Sequence, residues 1–115
     1  MGRVTWTRRY QFQSVHSLNV CDLQERLHGH DFQLEVCCSS DQIHRLDELI
    51  KKEILPQIHG RNLNQLLSPA TGELLVEWID AKLRRSKLSP FLVGIALQET
   101  RKNRFVSAKS EAQFD

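Results

Sequence analysis

The sequence predicts one α+β domain, a four-stranded antiparallel sheet with two helices packed on one face. Three observations carry this. Apolar and polar residues alternate in two stretches near the N-terminus and again near the C-terminus, the period of a half-buried strand. Two stretches between them place apolar residues three and four apart, the period of a helix. The resulting order is strand, strand, helix, helix, strand, strand, which puts a helical layer against an antiparallel sheet. A chain of 115 residues has room for one such domain. It is placed at residues 1–108, with 109–115 as a flexible tail.

In the first strand Val4, Trp6, Tyr10, Phe12 and His16 share one parity, with Thr5, Thr7, Arg9 and Gln11 between them. In the second, His28, His30, Phe32, Leu34, Val36 and Cys38 share a face, opposite Asp31, Gln33 and Glu35. The polar stretch from Leu18 to Leu27 is too long for a tight turn and reads as a functional loop. Ser39, Ser40 and Asp41 form a capping cluster ahead of Ile43, Leu46, Ile50 and Ile54, one helical stripe that Pro56 is expected to end. Thr71-Gly72-Glu73 opens the second helix, whose buried face includes Leu75, Trp78, Ile79 and Leu83. Phe91, Val93, Ile95, Leu97 and Glu99 line one face of a third strand, and a short fourth strand is expected near Arg104 to Ala108.

Composition narrows the function classes. With 40% hydrophobic and 26% charged residues the chain is ordinary for a globular domain, which argues against disorder. A net charge of +2, with basic residues scattered and not interleaved with aromatics, argues against nucleic-acid binding. No apolar run approaches the ~18 residues of a membrane span. The polar, basic stretch from Met1 to Tyr10 has no hydrophobic signal core, so a cytoplasmic location is expected. Three cysteines, Cys21, Cys37 and Cys38, are an odd number, and the last two are adjacent, so reduced thiols are expected.

His28-Gly29-His30 is the strongest chemical signal. On a strand, residues i and i+2 project to the same face about 6–7 Å apart. His16 has the same parity at the end of the preceding strand. If the two strands pair, three imidazoles converge, and three neutral imidazoles with an open fourth position describe a catalytic zinc site. A zinc ion there can polarise a substrate oxygen or acidify a bound hydroxyl. The alternative is a set of surface or capping histidines. His44, on the first helix, reads as a solvated or capping residue.

With these blocks in place the chain resembles the 6-pyruvoyl-tetrahydropterin synthase and 6-carboxytetrahydropterin synthase family. The resemblance spans roughly residues 3–106. It rests on Phe12 through His16, Leu27-His28-Gly29-His30-Asp31-Phe32, Asn62-Leu63-Asn64, Pro69-Ala70-Thr71-Gly72-Glu73 ahead of Trp78-Ile79, and Gln98-Glu99-Thr100. The resemblance implies the tunnelling fold, in which sheets of several subunits join edge to edge into a barrel, and hence a homo-oligomer, trimer or hexamer. It implies that His16, His28 and His30 hold Zn2+ and that Glu99 anchors a pterin ring, with Thr71 beside it. A carboxylate suits that task, because it accepts two parallel hydrogen bonds from an aminopyrimidine edge. A solvated charge for Glu99 and a helix cap for Thr71 are the alternatives.

The implied substrate is 7,8-dihydroneopterin triphosphate, and the implied activity is that of a carbon–oxygen or carbon–carbon lyase. Candidates for the triphosphate are Arg3, Arg8, Arg9, Arg26, Arg61, Arg101, Lys102 and Arg104. Carboxy-forming relatives carry a cysteine four positions before His-Gly-His; Gln24 stands there, Cys21 lies further upstream, and Glu25 gives Glu-x-x-His-Gly-His. The glutamate form resembles the subgroup whose product is 6-hydroxymethyl-dihydropterin, a folate precursor, whereas the carboxy product leads to queuosine-type deazapurines. Desolvation can raise such a carboxyl toward neutrality and make it a general base. Against the family's Asp-His-x-x-Leu-Asn, an ungapped alignment of His59-Gly60-Arg61-Asn62-Leu63-Asn64 sets His59 at the aspartate and Gly60 at the histidine, whereas one extra residue leaves His59 as the histidine and proton donor with Ile58 at the aspartate; either way the carboxylate is missing. A member that binds pterin or zinc without turnover, as a binding or regulatory protein, is the alternative to an enzyme.

Overall fold

The structure, a computed structural model, describes residues 4–20, 23–24, 26–107 and 109. Two long strands dominate it, β1 (Trp6–His16) and β4 (His28–Cys38), paired antiparallel over their whole length. Between them lies a small ladder of β2 (Asn19–Val20) and β3 (Leu23–Gln24). β4 continues to β6 (Leu92–Gln98) and β6 to β7 (Arg104–Val106), both antiparallel.

The sheet has five strands, not the expected four. β5 (Arg61–Asn62) adds to the far side of β1 and runs parallel to it. Two residues are too short for any alternation to register in the sequence. The turn before β5 is closed by Gly60 at φ +67°, a left-handed conformation that glycine adopts without a Cβ penalty, and its N–H donates to Gln13 O at 2.6 Å.

The helices cover one face. α1 (Ile43–Leu49) runs on through a π-helical stretch, Ile50–Ile54, into α2 (Leu55–Ile58), so the helix passes Pro56 instead of ending before it. The N–H of Leu55 reaches back five residues to Ile50 O, as a π-helix requires. This wider turn relieves the clash that a proline ring makes with the carbonyl four residues earlier, and Pro56 sits in the first turn of α2, where its missing N–H costs little. Asp41 Oδ1 accepts from Ile43 N at 3.3 Å at the start of α1. α3 (Gly72–Arg84) begins at Thr71, whose side chain accepts from Leu74 N at 3.2 Å.

The core lies between this face and the helices: Tyr10, Phe12, Phe32, Leu34 and Val36 from the long strands meet Leu46, Ile50, Ile54, Leu75, Ile79 and Leu83. Val4 lies outside β1 and is exposed, and Trp78 is half-buried. The expected parity of the third strand holds for Ile95 and Leu97 and fails before them. A bulge opposite Cys37 and Cys38 inserts one residue, so Leu92 and not Val93 enters the core. Tyr10 Oη donates to Asp47 Oδ1 at 2.5 Å and Arg8 pairs with Asp47 Oδ2 at 3.2 Å, fastening β1 to α1. No helix among the described residues is long and apolar enough to cross a membrane.

Candidate metal centre and adjoining cleft

The register of β1 and β4 sets His16 directly opposite His28 and Ser14 opposite His30. Equal parity then turns all three imidazoles to the helix side of the sheet. Their ring centroids are 4.7, 5.0 and 4.8 Å apart, and one ring nitrogen from each lies within 4.8 Å of the others. Below them Phe12 and Phe32 stack at 5.0 Å, with Phe32 edge-on to His16 and His30, an apolar floor that excludes water.

Backbone carbonyls fix two of the rings. His16 Nδ1 lies 2.8 Å from Ala70 O and His28 Nδ1 lies 2.9 Å from Arg26 O. A carbonyl only accepts, so each Nδ1 carries the proton and the neutral ring offers a lone pair at Nε2. His16 Nε2 is buried and has no hydrogen-bond partner among the described residues. Such an orphaned acceptor is costly unless a cation takes the lone pair. Three imidazoles, two of them oriented through carbonyls on their far nitrogens, are also the donor set and support that zinc sites use. The cluster therefore fits a metal ion such as zinc.

Glu99 follows β6 directly. Its Oε1 lies 3.3 Å from His30 Nε2 and 3.8 Å from His16 Nε2, and its side chain is only 13% exposed. Thr71 adjoins Ala70, the residue that holds His16. Its oxygen caps α3, so the capping alternative is observed, and the hydroxyl hydrogen remains able to donate elsewhere.

His59 sits at the edge of β1, where Gln13 N–H donates to its Nδ1 at 3.2 Å. An amide N–H only donates, so the neutral ring carries its proton on Nε2. The bond has the opposite polarity to one from an orienting carboxylate, and among the described residues no acidic side chain takes the aspartate's place. Ser14 Oγ donates to Ile58 O and pins this corner to β1. His59, Glu99, Gln13, Gln98, Thr100 and Arg101 line one open cleft of about 770 Å³ on the sheet. Cys21 and Glu25 lie outside the described residues.

The ligand support was missed by the sequence reading. Asn64 Oδ1 accepts from Ser17 N at 2.8 Å while its Nδ2 donates to Ser17 O at 2.8 Å, clamping the backbone just after His16. Asn64 was visible within Asn62-Leu63-Asn64, but nothing local tied it to His16. The carbonyls of Ala70 and Arg26 have no side-chain signature at all. Cys37 and Cys38 are buried, and burial, with Cys37 adjacent, pushes the Cys38 thiol up and away from reactivity.

The sheet, its helical backing and the histidine cluster describe an α+β domain able to bind a metal. The family model for 6-pyruvoyl tetrahydropterin synthase matches residues 5–110, and the chain belongs to that family. It is similar to the dihydroneopterin monophosphate aldolase of Pyrococcus furiosus, at 29% identity over 84 residues, 68% of this chain and 73% of the relative. The solved 6-pyruvoyl tetrahydropterin synthase of Caenorhabditis elegans shares the fold, with a TM-score of 0.77 at 21% identity over 92% of this chain and 97% of that one.

Proposed function

We propose that the protein is a zinc-dependent carbon–carbon lyase that acts on phosphorylated 7,8-dihydroneopterin and releases 6-hydroxymethyl-dihydropterin. The observation that carries this reading is the Glu99 carboxylate 3.3 Å from His30 Nε2 at the edge of the three-histidine cluster; Glu99 also lines, with His59, a cleft whose walls include none of the three histidines. Glu25 in Glu-x-x-His-Gly-His and the likeness to a dihydroneopterin monophosphate aldolase favour the hydroxymethyl product over 6-carboxytetrahydropterin.

His16, His28 and His30 would hold the zinc, which supplies Lewis acidity toward a side-chain oxygen of the substrate. Glu99 grips the aminopyrimidine edge of the pterin through two hydrogen bonds. Thr71 supports the ring from the start of α3. Glu25 takes the proton from the second side-chain hydroxyl. The bond between the first and second side-chain carbons then breaks, and its electrons pass into the ring imine. His59 Nε2–H returns a proton to the first carbon. The second and third carbons leave as a phosphorylated two-carbon aldehyde, so atoms and charge balance. Cys21 is a second proton carrier on the same loop.

Of the basic residues, Arg8 is engaged by Asp47, and Arg9 and Arg104 flank Glu35 at 3.9 and 3.2 Å. Arg101 lines the cleft and is exposed, which favours it for the phosphate tail. Edge-to-edge joining of subunits into a barrel fits the open outer edges: β5 covers β1 only at Ser14 and Val15, and Val106 on β7 is 47% exposed. A cytoplasmic location is part of the proposal.

Zinc-loaded protein incubated with the mono- and triphosphates of dihydroneopterin, with products identified by mass, tests the proposal. The mass of 6-hydroxymethyl-dihydropterin is expected. The carboxy mass would transfer the protein to the other product class. The second reading, a pterin-binding member without turnover, is favoured by the missing aspartate at His59. Bound pterin with no product would establish it.

A further inference from the structure

We propose that Glu99 has two duties, and that in the pterin-free protein its carboxylate completes the coordination of the metal held by His16, His28 and His30. The inference deepens the functional reading above and rests on its metal site.

The far nitrogens of His16 and His28 are committed to carbonyls, so their neutral rings turn lone pairs toward one another's space. Glu99 Oε1 joins that space at 3.3 Å from His30 Nε2 and 3.8 Å from His16 Nε2. A carboxylate oxygen and imidazole lone pairs are all electron-pair donors. Gathered in a partly buried place they repel one another unless positive charge lies among them. A proton on one ring would satisfy one pair. A single cation satisfies all the donors at once, and three imidazoles with one carboxylate oxygen make a complete tetrahedral zinc set.

Position permits both duties. The backbone of Glu99 is fixed, because its N–H donates to Asn103 O at 3.0 Å across the β6–β7 turn. The side chain beyond it has three rotatable bonds. Gripping an aminopyrimidine edge takes both carboxylate oxygens in parallel hydrogen bonds. An oxygen engaged in that way is withdrawn from the cluster. Pterin binding therefore vacates the coordination position that the substrate side chain needs, and in its absence the carboxylate keeps the position closed to water.

Cobalt(II)-substituted protein gives the test, since its visible absorption reports ligand number and type. In the wild type, addition of neopterin is expected to change the spectrum. E99Q, which keeps the shape and loses the charge, is expected to show an altered spectrum without pterin and no comparable change with it. Its zinc affinity, measured by chelator competition, is expected to fall by about tenfold or more. Circular dichroism checks that the variant is folded, and Glu99→Asp, with the charge kept and the reach shortened, is expected to share the affinity loss. If E99Q and E99D match the wild type in spectrum and affinity while His28→Ala loses cobalt, Glu99 is no ligand and only this inference falls. If the wild type takes up no cobalt or zinc, the metal reading falls with it.

Discussion

His16 on β1 and His28 on β4 are direct partners across the ladder, with ring centroids 4.7 Å apart. The pairing register, and not chain proximity, makes the metal cluster. A one-residue slip of β1 would turn His16 to the opposite face.

This pairing predicts the behaviour of ligand variants. His28→Ala should abolish stoichiometric zinc uptake, measured by metal analysis after dialysis. His28 is half-buried at the strand end and lies outside the apolar core, so the far-ultraviolet circular dichroism should be unchanged. Retained stoichiometric zinc would refute the assignment of His28.

The bond from Gln13 N–H to His59 Nδ1 predicts a tautomer. Nitrogen-15 spectra of histidine-labelled protein at pH 8 should show the His59 ring protonated on Nε2 only. His59→Phe should lower kcat by about 10²–10⁴-fold, the range for loss of a general acid or base, with little change in pterin Kd. An Nδ1-protonated ring would contradict the geometry.

Gly72 predicts a steric cost. A Cβ there would stand 2.2 Å from Cε2 of Phe105 on β7, so the ring or the helix start must shift. Gly72→Ala should destabilise the fold by about 1–3 kcal/mol, measured by urea unfolding. Adding Phe105→Leu should recover part of that loss. Strictly additive effects would show that the contact does not transmit the strain.

Asp47 predicts a pH window. Burial opposes its charged form, but the hydrogen bond from Tyr10 and the charge of Arg8 hold its carboxyl below the ordinary value of 3.8. Burial and Asp47 together push the Tyr10 hydroxyl upward, so it stays protonated as the donor. A carboxyl lowered in the folded state contributes stability above its unfolded pKa, and that contribution fades as pH falls through the folded one. The Tm advantage of wild type over Asp47→Asn should therefore be constant above about pH 5 and shrink below about pH 4. An advantage independent of pH down to 2 would exclude the ionic contribution.

Much of the fold was legible because burial imposes a period. Tyr10, Phe12, Phe32, Leu34 and Val36 alternate since every second residue meets the helices, and Leu75, Ile79 and Leu83 recur because a helix returns to the same face. The parity shared by His16, His28 and His30 was readable for the same reason. The two-residue β5, the bulge at Val93 and the π-helical passage of Pro56 were not, because each is a local departure whose stability comes from distant partners.

Residue types and their spacings were enough to specify two alternating strands able to carry three imidazoles on one face, and a capped helix beginning at Thr71. Only the folded chain sets Ala70 O and Arg26 O against two of the rings, Asn64 around Ser17, Glu99 within 3.3 Å of His30, and His59 where it accepts from Gln13. The reason is that these bonds use backbone groups, identical at almost every position, or join residues dozens of positions apart. Which of them meet is set by strand register and helix placement, and neither has a local signature.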